Sequence, residues 1–271
     1  MHVKKPVANK VNSGGSTMVA PYYDPRVFKK PAGLKKEKVA SEGATLKIPI
    51  ITYHYVEYVQ DAGDIIRKRL DINPAVFERE LKELNDAEYK TYFVRDIPDI
   101  LDRKIPYEAS KSAILTFDDG YEDFYNDALP LLKKYNIKAT FFVVNDFVGR
   151  RGFVTPGEIR QIIASGLVEI GAHTLDHVYL KLIPKSVAKK QIEESKKGLE
   201  SDYGIHIKSF AYPYGAFDQQ TIDLVKEASF SAAVTEITGA DQSKGNIYYL
   251  SRYRAGTFSG NIVKVLQNLQ K

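Results

Sequence analysis

Short apolar runs alternate with longer amphipathic stretches along most of the chain. The apolar runs are four to eight residues long, and several of them end at a polar residue or at glycine. A run of this kind is typical of a strand that is buried on both faces of a parallel sheet. The pattern predicts strands at residues 48–55, 91–95, 113–117, 139–144, 168–172, 207–211, 232–235 and 248–252.

Helical patterns occupy the intervals between these strands. Asn73-Pro74 is typical of a helix start, because proline is tolerated at the first helical position. Thr155 and Glu158 have the spacing of a capping box, in which each side chain accepts the other residue's backbone N–H. The other predicted helices cover residues 97–102, 128–135, 184–202, 218–229 and 262–269. This alternation indicates an α/β fold with a mainly parallel sheet, and about seven strands fit a closed or nearly closed barrel.

The first 46 residues differ from the rest of the chain. They are rich in Lys, Gly, Ser and Pro without a sustained apolar period, which is typical of a linker. They carry nine basic and three acidic residues, whereas residues 47–271 carry 30 basic and 31 acidic ones. We therefore expect a basic flexible segment at 1–46 and one folded domain at 47–271. The segment would be a solvated leader, with association with a cell wall or membrane surface as the alternative.

Composition excludes several classes of function. The chain has no cysteine, so it forms no disulfide, no thiolate nucleophile and no cysteine-ligated metal site. The nearly neutral domain offers no basic face for nucleic acid. The sequence contains no apolar run long enough to span a bilayer as a transmembrane segment. We expect a monomer with no nucleic-acid partner.

Two adjacent carboxylates, Asp118 and Asp119, follow the predicted strand at 113–117 and precede Gly120. Adjacent residues of an extended strand point to opposite faces. Both side chains can therefore reach one site only where the strand gives way to a turn, which Gly120 permits. The carboxyl ends of parallel strands are where barrels and open sheets place their chemistry. The alternative is a simple turn in which an aspartate caps the backbone.

Two histidines, His173 and His177, follow the predicted strand at 168–172. If the chain coils into a helical turn there, side chains four residues apart project from one face. Two histidines and one carboxylate, with positions left for water, are a common ligand set for a catalytic divalent metal. The second carboxylate of the aspartate pair is then free to act as a base. The alternative is that each histidine is simply a hydrogen-bonded residue of the core or surface.

A third motif, Tyr-Pro-Tyr-Gly at residues 212–215, follows the predicted strand at 207–211. Together with Thr-Phe-Asp-Asp-Gly at 116–120 and His-Thr-Leu-Asp-His at 173–177, it resembles the polysaccharide deacetylases of the NodB-homology type (carbohydrate esterase family 4). The similarity extends from about residue 49 to the C-terminus. It implies the irregular (β/α)-barrel of that family, usually of seven strands, and hydrolysis of acetamido groups on a glycan.

The same resemblance implies roles for individual residues. Asp119, His173 and His177 would bind the metal, and Asp118 would be the catalytic base. The backbone N–H of Tyr214 would stabilise the oxyanion of the tetrahedral intermediate. The metal would be zinc, while cobalt, nickel or iron would fit the same ligands.

The sequence departs from the family pattern at three places. Val178 follows the second histidine, where the family usually has proline. The arginine that often precedes the third motif is absent, and Arg252 is the candidate replacement, with a surface salt bridge as its alternative role. No histidine follows His206, so His54 is the candidate general acid, with a structural role as the alternative. The Tyr-His pair at that position resembles the branch that acts on poly-β-1,6-N-acetylglucosamine.

The resemblance implies an extracellular or cell-surface enzyme that N-deacetylates an N-acetylglucosamine-containing polysaccharide and releases acetate. The substrate would be an exopolysaccharide of biofilms or a cell-wall glycan of the peptidoglycan or chitin type. The tyrosines near the motifs are candidates for stacking on sugar rings, namely Tyr53, Tyr55, Tyr121 and Tyr125. A glycoside hydrolase is one alternative, although it needs two separated carboxylates. A catalytically silent carbohydrate-binding protein on the same fold is the other.

Overall fold

The computed structural model describes residues 31, 34, 45–61, 63–255 and 260–270. The basic segment expected at 1–46 therefore lies outside the described residues, apart from positions 31, 34, 45 and 46. The strands are β1 (Leu46–Lys47), β2 (Ile50–Tyr53), β3 (Tyr55–Val56), β4 (Asp71–Ile72), β5 (Lys90–Tyr92), β6 (Ser112–Phe117), β7 (Ala139–Val143), β8 (Val168–Ala172), β9 (Ser209–Ala211), β10 (Ala232–Thr238), β11 (Asp241–Gln242) and β12 (Leu250–Arg254).

The α-helices surround these strands. They are α1 (Ile65–Leu70), α2 (Pro74–Asp86), α3 (Ile97–Leu101), α4 (Leu129–Tyr135), α5 (Pro156–Ala164), α6 (Lys185–Tyr203), α7 (Gln219–Glu227) and α8 (Ile262–Leu269). Across the described residues, none of the helices combines the length and the apolar character needed to cross a bilayer.

Seven parallel strands form a closed barrel in the order β2, β6, β7, β8, β9, β10, β12. Strand β2 pairs with β6 on one side and with β12 on the other, so the first and last strands of the barrel close it. Strand β5 pairs with the first three residues of β6 and adds an eighth strand outside the ring. The predicted barrel of about seven strands is confirmed.

The alternation of side chains along β6 shows how the core is divided. Ile114 lies in an interior cluster with Phe142 of β7, whereas Leu115 and Phe117 pack into the outer core beneath the helices. Phe142 fills the barrel so closely that a Cβ at Gly171 would lie 2.4 Å from its ring. The barrel is therefore a packed core, and its chemistry is confined to the ends of the strands.

A buried carboxylate, Glu169, closes the amino-terminal end of the barrel. Its Oε2 accepts hydrogen bonds from Thr140 Oγ1 (2.9 Å) and from the backbone N–H of Arg95 (3.2 Å), and its Oε1 accepts one from Ser209 Oγ (2.6 Å). Burial raises the pKa of this carboxyl group. The strand predicted at 91–95 ends at Tyr92 because these interior side chains engage the following backbone, which forms a 3₁₀ turn over the barrel.

Most predicted helices occur within a few residues of the expected positions. The capping box is present, with the Glu158 N–H 3.3 Å from Thr155 Oγ1 and the Thr155 N–H 2.7 Å from Glu158 Oε2. The strand predicted at 48–55 instead divides at His54 into β2 and β3. Strand β3 pairs with β4 outside the barrel, and the sequence pattern did not predict β4 or α1.

Candidate metal centre and active site

The predicted site residues meet at the carboxyl-terminal end of the barrel. His54 follows β2, Asp118 follows β6, His173 follows β8 and Tyr214 lies in the turn after β9, while Arg252 lies within β12. The carboxyl ends of the strands in a closed parallel barrel surround a single opening. The structure therefore brings the three sequence motifs together, although they are far apart along the chain.

Left-handed backbone directs several of these side chains. Asp119, Thr174, His177 and Tyr214 have φ angles of 75°, 67°, 62° and 59°. This conformation is uncommon for residues with a side chain, and it clusters at functional sites, where the surrounding structure holds it in place. At Asp119 it provides the turn predicted before Gly120, so the two adjacent carboxylates reach the same opening.

The helical turn considered at residues 173–177 does not form. Side chains take the backbone donors that a helix would use: Thr174 Oγ1 accepts the His177 N–H, and Gln191 Oε1 accepts the N–H groups of Leu175 and Asp176. The two left-handed residues, rather than a helical face, bring the imidazole rings to a centroid separation of 4.9 Å.

Asp119, His173 and His177 form a compact triad. Asp119 Oδ1 lies 3.2 Å from His173 Nε2 and 3.1 Å from His177 Nε2, and the three ligand atoms lie within 4.8 Å of one another. His173 Nδ1 is 2.8 Å from the carbonyl oxygen of Ala211, which can only accept a hydrogen bond. In the neutral ring, Nδ1 therefore carries the proton and Nε2 presents its lone pair. This donor set fits a divalent metal.

The charge states of the triad residues favour the binding of a cation. Burial alone would raise the pKa of Asp119, but His177 and His173 hold it well below its usual value, so the group is ionised. Burial lowers the pKa of His177 and favours its neutral form. At His173 burial acts in the same direction, but the carboxylate of Asp119 outweighs it and raises the pKa.

Asp118 is held by Arg252 through two parallel hydrogen bonds. Arg252 Nη1 lies 2.9 Å from Asp118 Oδ1, and Nη2 lies 2.7 Å from Oδ2. The remaining donors of the guanidinium reach Thr116 Oγ1 (3.1 Å), the carbonyl oxygen of Thr235 (2.9 Å) and Glu236 Oε1. All five N–H groups of the arginine are thus engaged. Both members of the pair are buried, so the surface salt bridge considered for Arg252 is wrong.

The arginine also determines the charge of Asp118. Burial alone would raise the pKa of this carboxyl group, but Arg252 outweighs that effect and lowers it below its usual value. Glu236 accepts from Arg252 and lies 3.3 Å from Arg254 Nη2, so positive and negative groups alternate along this row. His54 is partly exposed, and its electrostatic interaction with Asp118 and Asp119 contributes to lowering the pKa of both carboxyl groups.

Aromatic rings line the opening. Tyr55 stacks on Tyr121 with centroids 3.9 Å apart, and Tyr121 stacks on Phe153 at 5.1 Å. The prediction that Tyr53 stacks on a sugar ring is wrong. Its ring lies in the outer core, away from the barrel interior, and its hydroxyl donates to Glu80 Oε2. The hydroxyl of Tyr125 donates to Gln161 Oε1.

Sequence reasoning missed three contacts of the site. They are the Ala211 carbonyl oxygen on His173, the Glu236 carboxylate on Arg252, and the Tyr214 hydroxyl 2.9 Å from His177 Nδ1. The alternation along β9 could have indicated the first contact. The other two depend on how separate strand ends pack, and no local pattern in the sequence signals them.

The family described as Polysaccharide deacetylase matches residues 107–233. The protein YxkH of Bacillus subtilis (strain 168), whose name describes it as a polysaccharide deacetylase, is 30% identical over 224 residues, or 82% of this chain and 74% of the relative. The chain belongs to the polysaccharide deacetylase family. It is therefore a carbohydrate deacetylase by family, that is, a hydrolase.

Two further relatives of this deacetylase are informative. The poly-β-1,6-N-acetyl-D-glucosamine N-deacetylase of Staphylococcus aureus (strain MRSA252) is 28% identical over 198 residues, covering 68% of each chain. The structure of the Streptococcus pyogenes deacetylase PplD in complex with acetate superposes with a TM-score of 0.73 at 26% identity. That similarity covers 84% of this deacetylase and 100% of PplD.

Proposed function

We propose that the chain is a metal-dependent hydrolase that removes acetyl groups from the N-acetylglucosamine units of a polysaccharide. The observation that carries this proposal is the pairing of two differently held carboxylates at one opening. Asp118 is ionised beside Arg252, and the adjacent Asp119 faces His173 and His177. One carboxylate is thus available as a base while its neighbour completes a metal-ligand set.

Asp119, His173 and His177 would hold the metal, for which zinc is the first candidate and cobalt, nickel or iron fit the same donors. When bound, such a metal polarises a carbonyl group and lowers the pKa of water. The two histidine Nε2 atoms and the Asp119 carboxylate already converge, with the three ligand atoms within 4.8 Å of one another.

The residues of the chain would move the protons. Asp118 takes one proton from the water that attacks the acetyl carbon, and the Tyr214 N–H donates to the oxyanion that forms. His54 donates a proton to the amine nitrogen as the C–N bond breaks, which leaves acetate and a free amino sugar. Arg252 keeps Asp118 oriented through both of its oxygens.

The relatives support an N-acetylated glycan as the substrate. One is a deacetylase of poly-β-1,6-N-acetyl-D-glucosamine, and the structure of another holds acetate, the product expected here. Poly-β-1,6-N-acetylglucosamine is therefore the first candidate, ahead of peptidoglycan and chitin. Such substrates occur outside the cell, which supports an extracellular or cell-surface location.

A glycoside hydrolase fits the site less well. That chemistry needs one protonated carboxyl group as acid and a second, separated carboxylate as base or nucleophile. Arg252 lowers the pKa of Asp118, and two histidines lower the pKa of Asp119, so neither group is a protonated acid near neutral pH.

Acetate release from β-1,6-linked N-acetylglucosamine oligomers, chitin oligomers and peptidoglycan tests the proposal. The metal-stripped protein should be inactive and should recover activity with zinc, cobalt or nickel. Asp118→Asn should lower turnover by at least about 10²-fold while metal stays bound, because the general base is lost. His173→Ala should lose both metal and turnover.

The matched control is Asp176→Asn, which alters an exposed aspartate one residue before His177 and should keep wild-type turnover. Near-full activity of Asp118→Asn would contradict the base assignment. A metal-loaded protein that releases no acetate from any of these glycans would favour a catalytically silent binding protein.

A further inference from the structure

The side chain of Tyr214 makes a contact that its proposed backbone role does not require. Its hydroxyl oxygen lies 2.9 Å from Nδ1 of His177, and the two rings are tilted with centroids 4.4 Å apart. Tyr179 stacks on the opposite side of Tyr214, with centroids 3.9 Å apart and planes at 9°. The phenol is therefore held between a metal-ligand candidate and a second aromatic ring.

The proton on His177 fixes the direction of this hydrogen bond. A neutral imidazole has one N–H and one lone pair, and a histidine that binds a metal through Nε2 must carry its proton on Nδ1. In His177, Nε2 faces Asp119 and Nδ1 faces the Tyr214 hydroxyl. When metal is bound, Nδ1–H donates and the phenol oxygen accepts.

The backbone around Tyr214 is built to hold this position. Tyr214 is left-handed (φ 59°, ψ 12°), which is strained for a bulky residue. The next residue, Gly215, also has left-handed backbone, and a Cβ there would lie 2.7 Å from Glu236 Cβ. With this backbone conformation the Tyr214 ring lies against His177.

We propose that the Tyr214 hydroxyl is a positioning group for His177, which orients the imidazole and sets the affinity of the site for metal. This role is separate from the oxyanion contact of the Tyr214 N–H, and it rests on the metal site of the proposed function. Groups that orient a metal ligand in this way typically contribute 10–100-fold in metal affinity. Without the hydroxyl, the Nδ1–H would lose its partner in a largely buried place.

The test is Tyr214→Phe, which removes the hydroxyl but keeps the ring and the backbone N–H. The dissociation constant for zinc is measured by competition with a chromophoric chelator, and turnover is measured at saturating zinc. We expect a dissociation constant raised about 10–100-fold. The dissociation constant for zinc is the deciding readout, because the hydroxyl acts through His177 whereas the oxyanion donor is the backbone N–H.

The matched control is Tyr212→Phe in the same Tyr-Pro-Tyr-Gly block. The hydroxyl of Tyr212 donates to the carbonyl oxygen of Tyr248 at 2.9 Å and contacts no metal-ligand candidate. Its loss should lower the melting temperature of the metal-free protein without changing its affinity for zinc. If Tyr214 had only a structural role, both variants would lose thermal stability and neither would change its affinity for zinc.

Three results would overturn the inference. Equal zinc affinity of Tyr214→Phe and wild type would exclude the positioning role and leave the proposed function intact. An equal loss of affinity in Tyr212→Phe would assign the effect to general loosening of the block. A wild-type protein that binds no zinc, cobalt or nickel would overturn the metal site and the inference together.

Discussion

Replacing Arg252 by methionine should destabilise the protein more than the loss of any single hydrogen bond. The substitution keeps much of the aliphatic stem but removes a guanidinium whose five N–H groups are all engaged. It leaves Asp118 as a buried carboxylate without its countercharge. Removing one partner of a buried ion pair typically costs about 3–5 kcal/mol.

The magnitude follows from the environment of each acceptor. The side chains of Arg252 and Asp118 are 1% and 3% exposed, so solvent cannot replace the lost contacts. Glu236 is less affected, because it also lies 3.3 Å from Arg254. The loss of about 3–5 kcal/mol should therefore arise chiefly at Asp118.

The assay is urea-induced unfolding of the metal-free protein at pH 7, followed by circular dichroism. The double variant Arg252→Met with Asp118→Asn removes the uncompensated charge, so its loss should be smaller than the sum of the single losses by about 1–3 kcal/mol. Arg252→Lys is the control that keeps the charge. It should show an intermediate loss of unfolding free energy, because one ammonium group cannot make the two parallel hydrogen bonds of the guanidinium.

Two outcomes would refute this reasoning. A loss below about 1 kcal/mol for Arg252→Met would mean that the pair contributes no more than an exposed salt bridge. Strictly additive losses in the double variant would mean that Asp118 and Arg252 are not energetically coupled.

Two further predictions concern parts of the fold away from the site. Burial raises the pKa of Glu80 to about 7, above its unfolded value, so its unfavourable ionisation should lower stability as pH rises from about 4.5 to 7. Glu80→Gln keeps an acceptor for the Tyr53 hydroxyl and should remove up to roughly 3 kcal/mol of this pH-dependent loss of stability. A pH profile of urea unfolding identical to that of the wild type would contradict this prediction. Gly171→Ala puts a Cβ against the Phe142 ring and should lower the free energy of unfolding by about 1–3 kcal/mol, as measured by thermal unfolding. Adding Phe142→Leu should recover part of this loss. If the double variant is no more stable than Gly171→Ala, the clash with Phe142 is excluded.

Features that depend on neighbouring residues could be predicted from the sequence. The turn at Asp118-Asp119-Gly120 follows from glycine after two polar residues, and the capping box at Thr155 follows from its local spacing. The barrel follows from regular alternation of strands and helices. The inward position of Arg252 is consistent with the return of the last strand beside the first.

Features that depend on distant packing could not be predicted. The backbone at Arg95 leaves the sheet because its N–H reaches Glu169, which is 74 residues away. His177 and Tyr214 both adopt left-handed backbone where they meet, a conformation that is uncommon for residues other than glycine. The alternation along β2 would have been sufficient for Tyr53. Ile50 lies in the interior cluster, so Tyr53, three residues further on, faces outward with Ile51.

The closure of the barrel by β2 and β12 has a consequence for the order of events during synthesis. Asp118 and Arg252 are 134 residues apart, and β12 inserts between β10 and β2. A nascent chain that ends before β12 has an open sheet with two unpaired edges and a carboxylate that it cannot bury favourably. Asp118, the proposed catalytic base, therefore acquires its final environment only when the last strand leaves the ribosome. Incomplete translation products would be inert, and their open edges would expose them to aggregation and proteolysis.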